Sequence, residues 1–277
     1  AFGKAMRAAS AMVMLLVAGC AGAMPPRGSA SSARPRATAV RSAPSRTTAA
    51  PEAPPPASPT VTPSASESAL PCGEFGCQLY ASPLAAFAAV LADDPLVLAV
   101  GEMHAMRGTE AVASATRRFT QELLPRLVGR ASDLVLELWG ADPGCKRQVE
   151  KVEKAQGKIT AGQAATNPNE FIALGDQSKR LGIQPHVLEP SCADYERIAA
   201  AGDDDVVLML ETIATLTTTK VSRFVDQNRE RAPAKLVVTY GGAIHNDLEP
   251  TKGASTFSFG PALAAKVPDR YVALDLV

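Results

Sequence analysis

The sequence carries no net charge: 28 Lys and Arg stand against 28 Asp and Glu. Binding nucleic acid takes a concentrated positive surface, so this balance argues against that class of partner. The apolar run near the N-terminus, residues 8–18, is too short to span a bilayer, which takes about 20 residues. No two cysteines stand in a short C-x-x-C spacing, so a zinc site built from cysteine alone is a poor match. Histidine is scarce as well, with three in 277 residues. Each of the three therefore deserves a chemical reason for its position.

What is present at the start is a targeting pattern. Lys4 and Arg7 precede the apolar run, which leads into Val17-Ala18-Gly19-Cys20. A short positive region, a brief apolar stretch and small residues before a boundary make a signal peptide over 1–19. The last four residues resemble a lipobox, which implies that Cys20 becomes the mature N-terminus and carries a lipid. An ordinary secretory signal, with Cys20 discarded, is the alternative, and either one sends the domain out of the cytoplasm. Residue 21 is Ala rather than Asp, so nothing marks the chain for retention at an inner membrane. The expected location is the cell envelope, lipid-anchored on the periplasmic or outer side of a bacterial membrane.

Residues 20–70 are almost wholly Ala, Pro, Ser, Thr and Arg after the lipid-bearing cysteine, with runs such as Pro54-Pro55-Pro56. Such a composition buries too little apolar surface to offset the entropy of ordering, so a disordered tether is expected. Arginines 27, 34, 36, 41 and 46 outnumber the acids there, as suits a solvated linker near a membrane surface. The remaining cysteines, Cys72, Cys77, Cys145 and Cys192, are even in number, as disulfides in an oxidising compartment require. Three pairings exist. Cys72–Cys77 and Cys145–Cys192 are favoured, the first closing a small loop and the second stapling two distant ones.

From residue 71 to 277 the pattern alternates between apolar runs and helical periodicity. Ser82-Pro83 reads as an N-cap with proline at the first helical position. Strands are expected over 96–100, 134–138, 183–188, 236–240 and 271–276. Helices are expected from Thr109 with a bend at Pro125, near 145–156 and 168–181, from Ser191, and from Asp203 to about Asn228. Thr217-Thr218-Thr219 is an unusual interior for that last helix, whose apolar face suits the core better than a dimer contact. Strands separated by helices pair in parallel through right-handed crossovers. The expected fold is α/β, a mostly parallel sheet of about five strands with helices on both faces. In such sheets the ligand lies beyond the carboxyl ends of the strands.

Chemistry-bearing residues gather at those ends. The first strand runs into Gly101-Glu102-Met103-His104, and in an extended segment Glu102 and His104 project to the same side. The fourth runs into Tyr240-Gly241-Gly242, where paired glycines permit a close backbone approach and deliver His245 to the same edge. Glu137 lies in the second strand between Leu136 and Leu138, although both faces of a parallel sheet are normally hydrocarbon. A buried carboxylate needs a proton or a cation, which arginine, a protonated histidine or a metal can supply. An exposed strand end is the plainer alternative for Glu137, and core or turn histidines for His104 and His245. His186 follows Pro185 and suits a core position, and Asp275 suits a salt bridge.

Three stretches resemble a known superfamily that joins ChaN-like haem-binding lipoproteins, erythromycin-esterase-like hydrolases and the TraB/Tiki metalloproteases. Residues 97–104 resemble its opening strand with G-E-x-H, 134–137 its strand with a terminal glutamate, and 242–245 its late G-x-x-H. The resemblance implies a site of Glu102, His104, Glu137 and His245, either as ligands of zinc, manganese or iron or as catalytic groups of a hydrolase acting on an ester or peptide. It equally implies haem binding, with Tyr240, His245 and His104 as ligands and Met103, Met106 and Trp139 as apolar walls. A degenerate envelope scaffold is a third implication. The residues after G-E-x-H depart from the ChaN-like pattern toward the esterase-like branch, whereas the lipobox points to ChaN-like members. The long helical insertion with which a macrolide-inactivating enzyme covers its substrate is absent. The expected partners are the membrane, through the Cys20 lipid, and a small-molecule ligand.

Overall fold

The structure, a computed structural model, describes residues 13–15, 69–72, 76–140, 142–231 and 233–277. The expected signal peptide, Cys20 and tether lie outside the described residues, apart from 13–15 and the last two tether positions. Among the described residues, eight strands and seven α-helices are formed in chain order. Strand β1 is Val13–Leu15, and β2 (Leu70–Pro71) and β3 (Gln78–Leu79) make a small antiparallel pair. Helix α1 (Pro83–Ala92) opens with the Ser82 side chain accepting from the Ala85 N–H, as the Ser-Pro pattern implies. Then come β4 (Val97–Glu102), α2 (Ala115–Arg118), β5 (Ala131–Trp139), α3 (Lys146–Thr160) and α4 (Asn167–Arg180). The chain closes with β6 (Gln184–Leu188), α5 (Cys192–Ala200), α6 (Asp205–Arg229), β7 (Leu236–Gly242), α7 (Gly260–Lys266) and β8 (Tyr271–Leu276).

The main sheet has the order β1-β8-β4-β7-β5-β6, and every pairing in it is parallel. The five strands expected beyond residue 71 are all present, and Val13–Leu15 adds a short outer one beside β8. Alternate side chains of each strand enter two different cores. Leu98, Val100, Leu134, Leu136, Val238 and Tyr240 face α1, the segment after α2, and α4. Val97, Ala99, Val135 and Val237 face α6 and α7. Both faces are thus covered, and apolar strands such as β4 and β7 are buried along their whole length. Ile213, Val221, Phe224 and Val225 of α6 pack into the second core, so that face serves the fold. The threonine run is accommodated because Thr218 and Thr219 donate to the carbonyls of Ala214 and Thr215, one turn back.

One helix begins later than its periodicity suggests. Thr109 and Glu110 belong to a turn, in which Glu110 accepts from the Gly108 N–H and Thr109 donates to the Met106 carbonyl. Gly108 has φ +92°, a conformation that ends any regular run there. The helix starts instead where the Ser114 hydroxyl accepts from the Arg117 N–H. Approaching Pro125 it widens into a π-helical turn over Phe119–Leu123 and then tightens to a 3-10 turn over Leu124–Leu127. The helical spiral thus changes type around Pro125, where the sequence suggested a bend.

Both favoured disulfides are formed, Cys72–Cys77 and Cys145–Cys192. The second spans 47 residues and ties the entrance of α3 to the start of α5. Cross-linking a loop of that length stabilises by about 4 kcal/mol through the unfolded state. For a domain of about 200 residues, Cys145→Ala with Cys192→Ala is therefore expected to lower Tm by about 10 °C in thermal denaturation. An unchanged Tm would show that the staple constrains nothing. Among the described residues, no helix is long and apolar enough to cross a membrane.

Candidate functional site

The topology opens a crevice between two neighbouring strands. From β4 the chain crosses the α2 face of the sheet to reach β5. From β7 it crosses the opposite, α7 face to reach β8. Where adjacent strands send their connections in opposite directions, the carboxyl ends are left uncovered. Glu102 and His104 leave β4 at this point, and His245 leaves β7 at the same point.

Glu102 ends β4, opposite Gly242 in the ladder and on the same sheet face as Val100 and its neighbour Tyr240. It is buried, and both carboxylate oxygens are engaged. Oε1 meets His104 Nδ1 at 2.8 Å, while Oε2 accepts from the hydroxyls of Tyr240 at 2.8 Å and Thr116. Tyr240 is 1% exposed, wedged against Phe119 and Phe171, and it presents no free hydroxyl to a ligand. Its burial and the Glu102 carboxylate push its pKa well above the usual 10, so it remains a donor. The hydrogen bond that Nδ1 donates to Glu102 raises the His104 pKa above 6.5, with the charges of Glu137 and Glu102 adding to it against the cost of burial. His104 keeps 28% of its side chain exposed, and Nε2 has no hydrogen-bond partner among the described residues.

Glu137 arrives from the other face. The β5–β7 ladder ends at Leu136–Tyr240, and β5 shifts register against β6 between Leu136 and Trp139. The carboxylate turns into the gap so formed and accepts from the Gly242 N–H at 2.6 Å. A Cβ at Gly241 would lie 2.3 Å from Glu137 Oε2 and 2.8 Å from Glu137 Cβ. The first glycine of the pair is therefore required by the carboxylate that lies against it. A Cβ at Gly242 would have His104 Nε2, Glu137 Oε2 and His245 Cδ2 all within 4 Å. The second glycine thus faces the centre of the site.

His245 is buried, with Nδ1 donating to the Phe257 carbonyl at 2.7 Å and Nε2 lying 3.6 Å from Glu137 Oε1. Burial pushes its pKa down, but the Glu137 charge and hydrogen bond outweigh this, with the Phe257 carbonyl adding to them, and hold it above 6.5. Glu137 shows the reciprocal shift: burial pushes it up, and His245, the Gly242 N–H and His104 together bring it below the usual carboxylate value. The two shifts are reciprocal, each group favouring the charged form of the other.

The supporting groups include several that spacing alone did not single out. Thr116 gives no sequence signal. Phe257 contributes only a carbonyl, and Ser258 donates to the His245 carbonyl. Asn246 is buried and donates to the Ala99 carbonyl and to Asp275. Its position immediately after His245 was the available hint. Asp275 accordingly meets an amide and not the cation of a salt bridge. His186 lies away from the site, bonded to Asp133 at 2.9 Å and stacked on Phe224, as a core histidine.

The donor set was tested for a metal ion. The 3.6 Å between His245 Nε2 and Glu137 Oε1 suits two ligands of one tetrahedral ion, but Glu102 has no free oxygen. Among the described residues, only Asp142, Cys145 and Cys192 bring three ligand atoms within 4.8 Å of one another, and those cysteines are joined in a disulfide. His104 Nε2 is thus too far from the His245–Glu137 pair for the three to hold one ion as they stand. No protein family, curated protein or solved structure matched the chain.

Proposed function

We propose that this is an exported, lipid-anchored envelope hydrolase of the superfamily that its motifs resemble, cleaving an ester with water activated by His104. The observation that carries the proposal is the Glu102–His104 hydrogen bond, with Nε2 turned toward Gly242 and the His245–Glu137 pair beyond it. A carboxylate on Nδ1 fixes the imidazole tautomer, so Nε2 is the basic nitrogen. In its neutral form His104 takes a proton from water through Nε2 as the oxygen attacks the ester carbonyl carbon. The C–O bond to the alcohol then breaks, and the departing alkoxide takes a proton from His245 Nε2. Glu137 keeps His245 protonated before that transfer and positions it during the step. The disulfides support an oxidising compartment for the domain, and the lipobox supports the anchor.

A pH dependence follows from the shifts. His104 must be neutral, and its raised pKa means that kcat/KM climbs only as pH passes a value above 6.5. His245 must be protonated, and its raised pKa places the falling limb above 6.5 as well. The two limbs belong to coupled groups, so the profile reports apparent values. A bell with both limbs above 6.5 is expected for an alkyl ester such as ethyl butyrate, whose alkoxide takes the His245 proton, while p-nitrophenyl butyrate, whose phenolate leaves unprotonated, is expected to show the rising limb alone. A rising limb near the ordinary carboxylate value would assign the base to a carboxylate. The Glu102–His104 contact also stabilises the fold fully below the unfolded histidine value and fades as pH rises through the folded one.

A second reading, haem binding, is favoured by Met103 and Met106, both exposed beside His104. It has weaker support, because the polar atoms of Tyr240 and His245 are buried and engaged. Haemin titration separates the two readings. No saturable Soret change is expected, and a change lost in His104→Ala would favour haem over hydrolysis.

A further inference from the structure

The chain that follows His104 is tied down by bonds to a distant part of the sequence. The Ala105 carbonyl accepts twice, from the Ala164 N–H at 2.8 Å and from Asn167 Nδ2 at 3.1 Å. Met106 forms an antiparallel bridge with Gln163. Arg107 donates through its N–H to the Gly162 carbonyl at 2.9 Å and through its guanidinium to the Ala161 carbonyl at 2.8 Å. Backbone that has left a sheet must find new partners, and here the connection between α3 and α4 supplies them. That connection therefore sets the course of the chain immediately after His104.

Asn167 is the first residue of α4 and is buried. A buried amide costs stability unless it is bonded, and the Ala105 carbonyl is the partner that its Nδ2 holds. Glu170 and Phe171 stand three and four residues further on, on the same helix face. Glu170 accepts from the hydroxyl of Ser114, which caps α2, and α2 carries Thr116 to the Glu102 carboxylate. The Phe171 ring centre lies 6.1 Å from that of His104 and 5.5 Å from that of Tyr240, the other hydroxyl donor to Glu102. One face of α4 thus reaches the chain beside His104, the ring of His104 itself, and both groups that hold the second oxygen of Glu102.

We infer that the N-terminal part of α4 positions the base of the site, and that Asn167 is a positioning residue for His104. The kinetic consequence rests on the hydrolase reading of the His104 site, whereas the structural consequence does not. Asn167 bonds to Ala105 and Gln163 and not to the imidazole, so it acts through the backbone. Fixing the carbonyl of the next residue fixes the direction in which His104 leaves β4. The ring then keeps Nδ1 at 2.8 Å from Glu102, with the proton on Nδ1 and the lone pair on Nε2. Once that carbonyl is released, the ring also takes orientations in which Nε2 carries the proton, and the share of molecules with a usable base falls.

Asn167→Asp tests this, because it keeps the side-chain volume and turns a carboxylate oxygen, an acceptor, toward the Ala105 carbonyl. Asn167→Ala, which only removes the donor, is the milder second variant. For p-nitrophenyl butyrate, kcat is expected to fall at least about tenfold in Asn167→Asp with KM held within about twofold, since a displaced base loses rate and not substrate binding. Proton–nitrogen correlation spectra of the imidazoles, recorded above the His104 pKa, need no substrate. They should place the His104 proton on Nδ1 in the wild-type chain and divide it between the two nitrogens in Asn167→Asp. Leu174→Ala, a buried position further along α4, controls for destabilisation alone. It should lower Tm while leaving kcat and the tautomer as they are. An unchanged kcat and tautomer in both Asn167 variants, or the same changes in Leu174→Ala, overturns the positioning role and leaves the hydrolase reading standing. A tautomer that moves with Asn167, in a protein that cleaves no ester, keeps the positioning role and sinks the hydrolase reading.

Discussion

Glu102→Gln is expected to lower kcat for ester hydrolysis by about 10³–10⁴-fold while leaving the protein folded. Oε2 of Glu102 accepts from the buried Tyr240 and Thr116 hydroxyls, so the amide oxygen of glutamine takes that position. The amide NH₂ then faces His104 Nδ1, which can only accept. The ring is forced into the tautomer that carries its proton on Nε2, and the base is lost although every heavy atom stays in place. A smaller loss, within about tenfold, would mean that Glu102 merely packs. Circular dichroism and Tm of the variant distinguish this effect from unfolding. His104→Ala should match the loss without sharing the tautomer argument, so similar kcat values for the two variants would support a single catalytic unit.

Gly241→Ala is expected to destabilise by about 2–4 kcal/mol and to abolish activity. The added methyl would sit 2.3 Å from a Glu137 oxygen and 2.8 Å from Glu137 Cβ. Rotating the carboxylate away relieves the first clash but not the second, because the Cβ is fixed by the β5 backbone. Glu137 would then leave the Gly242 N–H, and His245 would lose the charge that keeps it protonated. Gly157→Ala is the control of opposite sign. It lies in α3 with nothing within 4 Å of its added Cβ, so alanine there should stabilise by about 0.5–1 kcal/mol. Thermal denaturation of both variants checks the pair. Equal, small effects would mean that the backbone at Gly241 moves aside.

The strands were legible because both faces of the sheet are covered, which turns β4 and β7 into unbroken apolar runs. The site carboxylates and histidines stood out for the same reason: Glu102, Glu137 and His245 are polar residues at the ends of such runs. The need for glycine at Gly241 was readable as close approach, but not what approaches. That is Glu137, brought across by a register shift that no local pattern announces. Residues that act through the backbone, such as Phe257, or through a hydroxyl on a distant helix turn, such as Thr116, leave no signature in one sequence. The late start of α2 was hidden because Thr109-Glu110 imitates a helix entrance, while Gly108 at positive φ commits the segment to a turn. The even cysteine count implied disulfides but left three pairings open; the favoured one, a small loop and a long staple, is the one in which the fold brings both pairs within 5.3 Å between Cα atoms.

The most direct test is the initial rate of p-nitrophenyl butyrate hydrolysis between pH 5 and 10, in EDTA, by the wild-type chain and by Glu102→Gln. Water activation by a Glu102-held His104 requires a saturable rate that survives chelation, rises through an apparent pKa above 6.5 and nearly vanishes in the variant. Equal rates in the two proteins, or an activity that EDTA removes and zinc restores, would contradict it.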